Sequence, residues 1–233
     1  MDIVIQCAAT KFKDAGSLKT RDGKFVRFVA QPNLCSLKAN TLYARPDDPS
    51  DTPSVSWRKH LEKYVTSQGQ TNPLELRQAY RLYKPAVYAG LVERFGSDKI
   101  FILSAGWGLV KADYLLPNYD VTFSLAAKKK CPSAFCHSSV EYDYFQHLTT
   151  NSHKNRPVIF LGGSAYWPVF DRLTRDLRRK RVVFTRESRT ASNDRKEAPY
   201  DFEYRRFPTK VSTNWHYQCA QALISGKINL QGA

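Results

Sequence analysis

Four short apolar runs set the pattern of this chain: Ile3-Val-Ile-Gln-Cys7, Ile100-Phe-Ile-Leu103, Val158-Ile-Phe-Leu161 and Val182-Val-Phe184. Each is too short for a helix and is bounded by turn residues, which predicts buried strands. Lys24 to Val29 also reads as a strand, and Arg21-Asp22-Gly23 before it suits a hairpin turn. Helical spacing joins Leu76, Tyr80, Tyr83, Val87, Leu91 and Phe95. Asn72-Pro-Leu-Glu75 has the form of the start of that helix, Gly96 suits its end, and Pro85 should kink or divide it. The aromatic stripe reads as core packing, since an amphipathic helix needs such a face.

A second helix is expected from Ser164, capped by its hydroxyl, with Phe170, Leu173 and Leu177 facing inward. Ser138 to Leu148 and Thr213 to Ser225 read as further helices. Strands alternating with helices predict an α/β fold: a single domain, residues 1–233, with a central mostly parallel or mixed sheet flanked by helices. Two surface features interrupt it, an insertion around 41–71 and a basic loop around 186–200. Ala44 to Ser56 holds three prolines and three aspartates and reads as a solvated loop.

Charge narrows the class of partner. The 233 residues carry 36 Lys and Arg against 21 Asp and Glu, a formal net charge of +15. That excess points to a polyanion, nucleic acid ahead of acidic lipid, although a merely basic soluble enzyme has the same sign. Asp2 and Gln6 interrupt the opening apolar run, so no signal peptide is expected there. No stretch is long enough to span a bilayer. Five cysteines without framework spacing fit reduced thiols in a cytoplasm.

Ligands in α/β sheets bind just past the carboxyl ends of the strands. The stretch after Leu103 is therefore the leading site candidate. Ser104, Gly106 and Gly108 permit a sharp turn, and Trp107, Lys111, Asp113, Asn118, Tyr119 and Asp120 follow within it. A flat aromatic surface, an amide and an acid suit a planar ring attached to a sugar. After the first strand, Gln6, Cys7 and Lys11 are placed to join the same site, with Lys11 as a ligand or an ordinary exposed lysine.

Gly162, Gly163 and Ser164 offer backbone N–H groups to an anion. Beyond them Arg172, Arg175 and Arg179 recur at spacings of three and four, a row suited to phosphate. Arg205, Arg206 and Lys210 interleave with Tyr204 and Phe207, the mixture that stacks bases and holds phosphates, and Asn214 and Trp215 open the last helix. Cys131, Cys136 and His137 lack a second ligand pair, so no metal and no cofactor are expected.

Cys7-Ala-Ala-Thr-Lys11, Leu103-Ser-Ala-Gly-Trp-Gly-Leu109 and Asn118-Tyr-Asp120 resemble motifs of the YaaA-like superfamily. Its members carry a Cys-Ser-Lys-like turn, a Leu-Ser-x-x-Tyr-Gly-Leu element and a Pro-Tyr-Asp or Pro-Tyr-Arg tripeptide. Trp107 stands here for the tyrosine, and Pro117 lies one place early, leaving Asn118 at the proline position. The likeness covers the first strand and residues 99–124 well, residues 158–177 fairly, and 20–70 and 186–210 poorly.

The resemblance implies DNA binding and, through phage-defence DNA glycosylases, removal of glucosylated hydroxymethylcytosine from phage DNA. Such cleavage builds positive charge on the deoxyribose, which a carboxylate stabilises, and needs the base turned out of the stack. Asp120 is the expected carboxylate, with Asp113 in reserve and Lys111 as a Schiff-base alternative. Trp107 and Tyr119 would stack on the base. Asn118 and Gln6 would read its edges, and Lys11 would hold phosphate or assist the leaving base. A tRNA or DNA base-exchange transglycosylase and a non-catalytic DNA-binding stress protein are the alternatives.

Overall fold

A computed structural model describes residues 1–52, 54–123, 143–149, 156–186 and 200–228. A seven-stranded mixed sheet forms the centre, in the order β12-β11-β10-β1-β5-β6-β9. Its strands are β1 (Asp2–Gln6), β5 (Ile100–Ser104), β6 (Gly108–Lys111), β9 (Phe145–Gln146), β10 (Val158–Leu161), β11 (Arg181–Thr185) and β12 (Glu203–Arg206). The strands β1, β5, β10, β11 and β12 run parallel, and β6 returns antiparallel beside β5. Ile3, Ile5, Ile102 and Phe160 have no solvent exposure. Burial on both faces is why these strands read as continuous apolar runs instead of alternating ones.

Among the described residues five helices surround the sheet: α1 (Trp57–Gln68), α2 (Ala79–Leu82), α3 (Val87–Phe95), α4 (Trp167–Thr174) and α5 (Trp215–Ile224). From β1 the chain crosses to β5 on one side, whereas β10 continues to β11 on the other. Right-handed crossovers in opposite directions put α3 and α4 on opposite faces. Helix α3 packs on α5, and Phe170 of α4 stacks on Phe160 of β10 at 4.7 Å. The carboxyl ends of β1 and β10 therefore flank the topological switch point.

A smaller parallel sheet, β3-β2-β8, lies beside it, formed by β2 (Phe25–Val29), β3 (Thr41–Ala44) and β8 (Tyr119–Asp120). The turn before β2 is the expected one: Gly23 takes φ +85° and Lys19 bridges Phe25 antiparallel.

Several expectations are corrected. Residues 41–71 are not a solvated insertion, since they supply β3 and α1, and Trp57 at the start of α1 is 1% exposed. Asn72 does not open a helix. It is left-handed at φ 46°, and its side chain accepts from Tyr64 Oη and Leu76 N across a loop. Pro85 does divide the helical pattern, into α2 and α3, and Gly96 ends α3 at φ +90°. Phe145 and Gln146 are strand, not helix. The helix expected from Ser164 begins later: Ser164–Tyr166 form a 3-10 turn with Gly163 at its N-cap, and α4 starts at Trp167. Of the basic loop, residues 187–199 lie outside the described residues.

Candidate functional site at the strand-end crevice

At the switch point the last residue of β1 ties two strand ends together. Gln6 accepts from Gly163 N through Oε1 at 2.7 Å, and its carbonyl accepts from Tyr88 Oη at 2.7 Å. A Cβ at Gly162 would collide with the Phe160 ring and press on Gln6 Oε1, so the turn after β10 needs a glycine for close approach.

Beside Gln6 lies a buried hydroxyl and thiol network. Ser104, closing β5, accepts from Gly106 N at 3.3 Å and Trp107 N at 3.1 Å and donates to Tyr119 Oη at 2.8 Å. Tyr119 Oη is 2.7 Å from Tyr83 Oη, and Cys7 Sγ is 3.3 Å from Tyr166 Oη. Burial raises the phenols of Tyr83, Tyr119 and Tyr166 well above their ordinary value, so all three keep their protons at neutral pH. Lys11 covers the pair, its Nζ 4.2 Å from the Tyr119 ring centroid and 5.9 Å from that of Tyr83.

A cleft of about 280 Å³ opens past β10 and β11, lined by Gly163, Ser164, Trp167, Thr185, Arg186, Ser212 and Trp215. Two indoles, hydroxyls, a glycine turn and an arginine thus meet at the strand ends. No carboxylate lines it among the described residues. Trp167 is 7% exposed and largely wall, whereas Trp215 is half-buried and presents more of its ring.

The remaining predicted residues divide. Trp107 is wholly buried, edge-on to Phe28 at 4.8 Å and stacked on Phe145 at 6.2 Å, so it is core and not a face for a base. Tyr119 is likewise buried and offers no stacking surface. Gly106 packs on Tyr119 and Val121, and Gly108, at φ +90°, has no room for a Cβ beside Tyr144 and Phe145. Asn118 is half-buried and hydrogen-bonds through its backbone N to Gly16 O.

Asp120 follows Tyr119 in β8, and strand alternation turns the two side chains to opposite faces. Tyr119 points inward to Ser104. Asp120 points outward to Arg27, which places Nε at 3.0 Å and Nη2 at 2.7 Å, both on Oδ2. The expected catalytic carboxylate is therefore a surface ion-pair partner. Lys111 pairs with Phe101, not with the end of β5, because β6 doubles back. It lies roughly 10 Å down the sheet from Ser104 at about 3.3 Å per residue. Asp113 is farther along the same turn, near Ser97 Oγ at 3.5 Å. Neither belongs to the crevice.

The arginine row also breaks up. Arg172 lies over the Tyr144 ring at 5.6 Å, and Arg175 faces Asp171 at 3.4 Å. Arg179 is buried against Asp2 at 2.5 Å, a structural pair at the opposite end of the sheet. Arg178 is the cause: its left-handed φ of 50° ends the helical turn and swings the next residue inward. Arg205 pairs with Glu203 at 2.7 Å, while Arg206, Lys210 and Asn214 are exposed. Asn214 is left-handed at φ 57°.

Sequence reasoning missed Arg58, Tyr166 and Trp167 as parts of this region and read Tyr83 only as core. Arg58 is 4% exposed and donates to the carbonyls of Gly106 and Trp107, each at 3.1 Å, and to Asp47 at 2.9 Å. It holds the turn after β5 in place. The Trp-Pro pair following Gly162-Gly163-Ser164 is the one signal that would have marked Trp167. Cys131, Cys136 and His137 lie outside the described residues, among which no group of three or more His, Cys, Asp or Glu is placed to hold a metal. The described cysteines, Cys7, Cys35 and Cys219, are free thiols, and no helix among the described residues is long and apolar enough to cross a membrane.

The fold and crevice define an α/β domain wound both ways from a central strand, with a small aromatic cleft past β10 and β11, next to its switch point. No protein-family model matches the chain, and no curated protein is significantly similar to it.

Proposed function

We propose that the protein binds DNA and accepts an unstacked base in the cleft beside Trp215. The observation that carries this reading is the cleft itself: indoles from Trp167 and Trp215 and an arginine, Arg186, over a Gly163-Ser164 turn at the switch point. Aromatic faces hold a base whatever its sequence, and glycine-turn N–H groups with arginine suit the adjoining phosphate. The net charge of +15 draws a polyanion to that rim.

A narrower reading is excision of a modified base, such as a glucosylated hydroxymethylcytosine of phage DNA. The likeness of Cys7–Lys11 and Leu103–Leu109 to motifs of the YaaA-like superfamily suggests it. Tyr166, whose Oη faces Cys7 Sγ at 3.3 Å, is not among the residues that line the cleft. In the reaction a water oxygen bonds to C1′ of the deoxyribose, the bond from C1′ to the base nitrogen breaks, and the proton that the water loses is balanced by the one the departing base gains. The product is an abasic site. In this reading Asp120 has no catalytic part.

The test incubates the protein with glucosylated phage DNA and with unmodified DNA, then counts abasic sites and released base. Abasic sites confined to the modified DNA support excision. Uptake of a labelled free base supports base exchange instead. Binding without either product leaves a DNA-binding protein, and absence of binding to both DNAs contradicts the whole reading.

A further inference from the structure

A second groove adjoins the cleft on the far side of a ring pair. Phe207 stacks on Trp215, with centroids 6.4 Å apart and an interplanar angle of 26°. Trp215 lines the cleft, whereas Phe207 lines the groove, which encloses about 480 Å³ between the ends of β11 and β12 and the helix α5. The groove has an apolar floor that includes Phe184. Gln218 and Gln221, three residues apart on α5, share one helix face along its wall. Thr209 Oγ1 donates to Gln218 Oε1 at 2.7 Å, which leaves that amide's N–H groups as its donor edge. Arg206 and Lys227 are exposed cations on the rim, and among the described residues no carboxylate lines it.

A ring surface, two amides able to meet base edges, and two exposed cations have the chemistry of a nucleotide site. We propose that this groove takes a nucleotide adjoining, in the same single strand, the one held at Trp215, with the Phe207–Trp215 ring pair between the two bases. This rests on the reading of the cleft as a nucleotide site. A single strand fits better than a duplex, because bases paired in a helix have no free faces to lay on either side of a ring pair.

The experiment titrates the full chain with deoxycytidine monophosphate, with the trinucleotide of deoxycytidine, and with a trinucleotide whose flanking sugars lack bases. Trp215 fluorescence reports binding, since Trp57, Trp107 and Trp167 are each at most 7% exposed. The complete trinucleotide is expected to bind roughly tenfold or more tightly than the mononucleotide, in line with the loss seen when one base–aromatic stack is removed. The base-free trinucleotide should gain little. Ala222→Phe, which fills the groove, should abolish the gain and leave mononucleotide affinity within about twofold, and Phe207→Ala should likewise abolish the gain, in protein whose circular dichroism and thermal midpoint show it folded.

Mononucleotide binding with no gain from the trinucleotide overturns the second subsite and leaves the first. So does a gain that survives both substitutions or persists without the flanking bases. No binding of any of the three overturns the reading of the cleft and the second subsite with it.

Discussion

The two ends of the central sheet are built from different chemistry. At the carboxyl ends of the parallel strands, Gln6, Ser104, Gly163 and Thr185 border turns and a cleft, beside a buried network of neutral hydroxyls and a thiol and the buried Arg58 that clamps the turn after β5. At the other end Asp2 is buried in an ion pair with Arg179, and the half-buried His147 accepts from Lys111 N at 3.2 Å. In the proposed reading one end meets a ligand and the other holds strands together. The motif from Leu103 to Asp120 spans both, because β5 and β6 form a hairpin. Nearness in sequence therefore said little about nearness in space.

The largest expected effect breaks the structural end. Asp2→Ala leaves the Arg179 guanidinium buried without its partner and should cost about 3–5 kcal/mol, read from the urea midpoint. Arg58→Ala should approach that cost near the ligand end, since it frees two backbone carbonyls and Asp47. Stability should also fall in acid. Burial, together with the Lys111 charge, lowers the pKa of His147 to about 4, and burial alone lowers that of His216 to about 4. Unfolded histidine titrates near 6.5, so the unfolded state takes up protons first as the pH falls. The contribution of both neutral histidines is complete above about pH 6.5 and is lost progressively between there and about pH 4. His216→Phe should flatten that slope, measured as urea midpoints from pH 7 to pH 4.5.

Substitutions at the ligand end should alter binding with little change in fold. Trp215→Ala should weaken single-stranded DNA binding by roughly 5- to 100-fold, the range for one lost base stack. Replacing Arg206 and Lys227 by alanine should lower the slope of log affinity against log salt by about 1–2. Lys111→Ala and Arg175→Ala should leave that slope unchanged. Asp120→Asn should have the smallest effect, under about 1 kcal/mol in stability, because its ion pair with Arg27 is partly exposed at 31% and 43%. Base release, where it is measured, should also be unaffected.

The strands were legible because burial on both faces leaves an apolar run that nothing else produces so briefly. Val182-Val-Phe184 lies wholly within β11. The Gly162-Gly163-Ser164 turn was legible as a strand end and Trp215 as the opening of the last helix, and Gly163, Ser164 and Trp215 do line one cleft. Asp120 was not, since its direction depends on the pairing of a two-residue strand with Val29. Arg179 looked like the third member of an outward row, and one left-handed residue before it reversed that. Arg58 gave no signal because its partner, Asp47, sits in a proline-rich segment that composition marks as solvated. Trp107 was placed past a strand end correctly, but a turn clamped by Arg58 folds its indole back into the core.

Ultraviolet crosslinking of single-stranded DNA to the intact protein, followed by peptide mapping, tests the central claim most directly. Crosslinks should concentrate at Trp215 and Phe207, with the Ser164–Trp167 turn next. Crosslinks confined to the peptides carrying Lys111, Asp113 and His147 would place nucleic acid at the opposite end of the sheet and contradict the account.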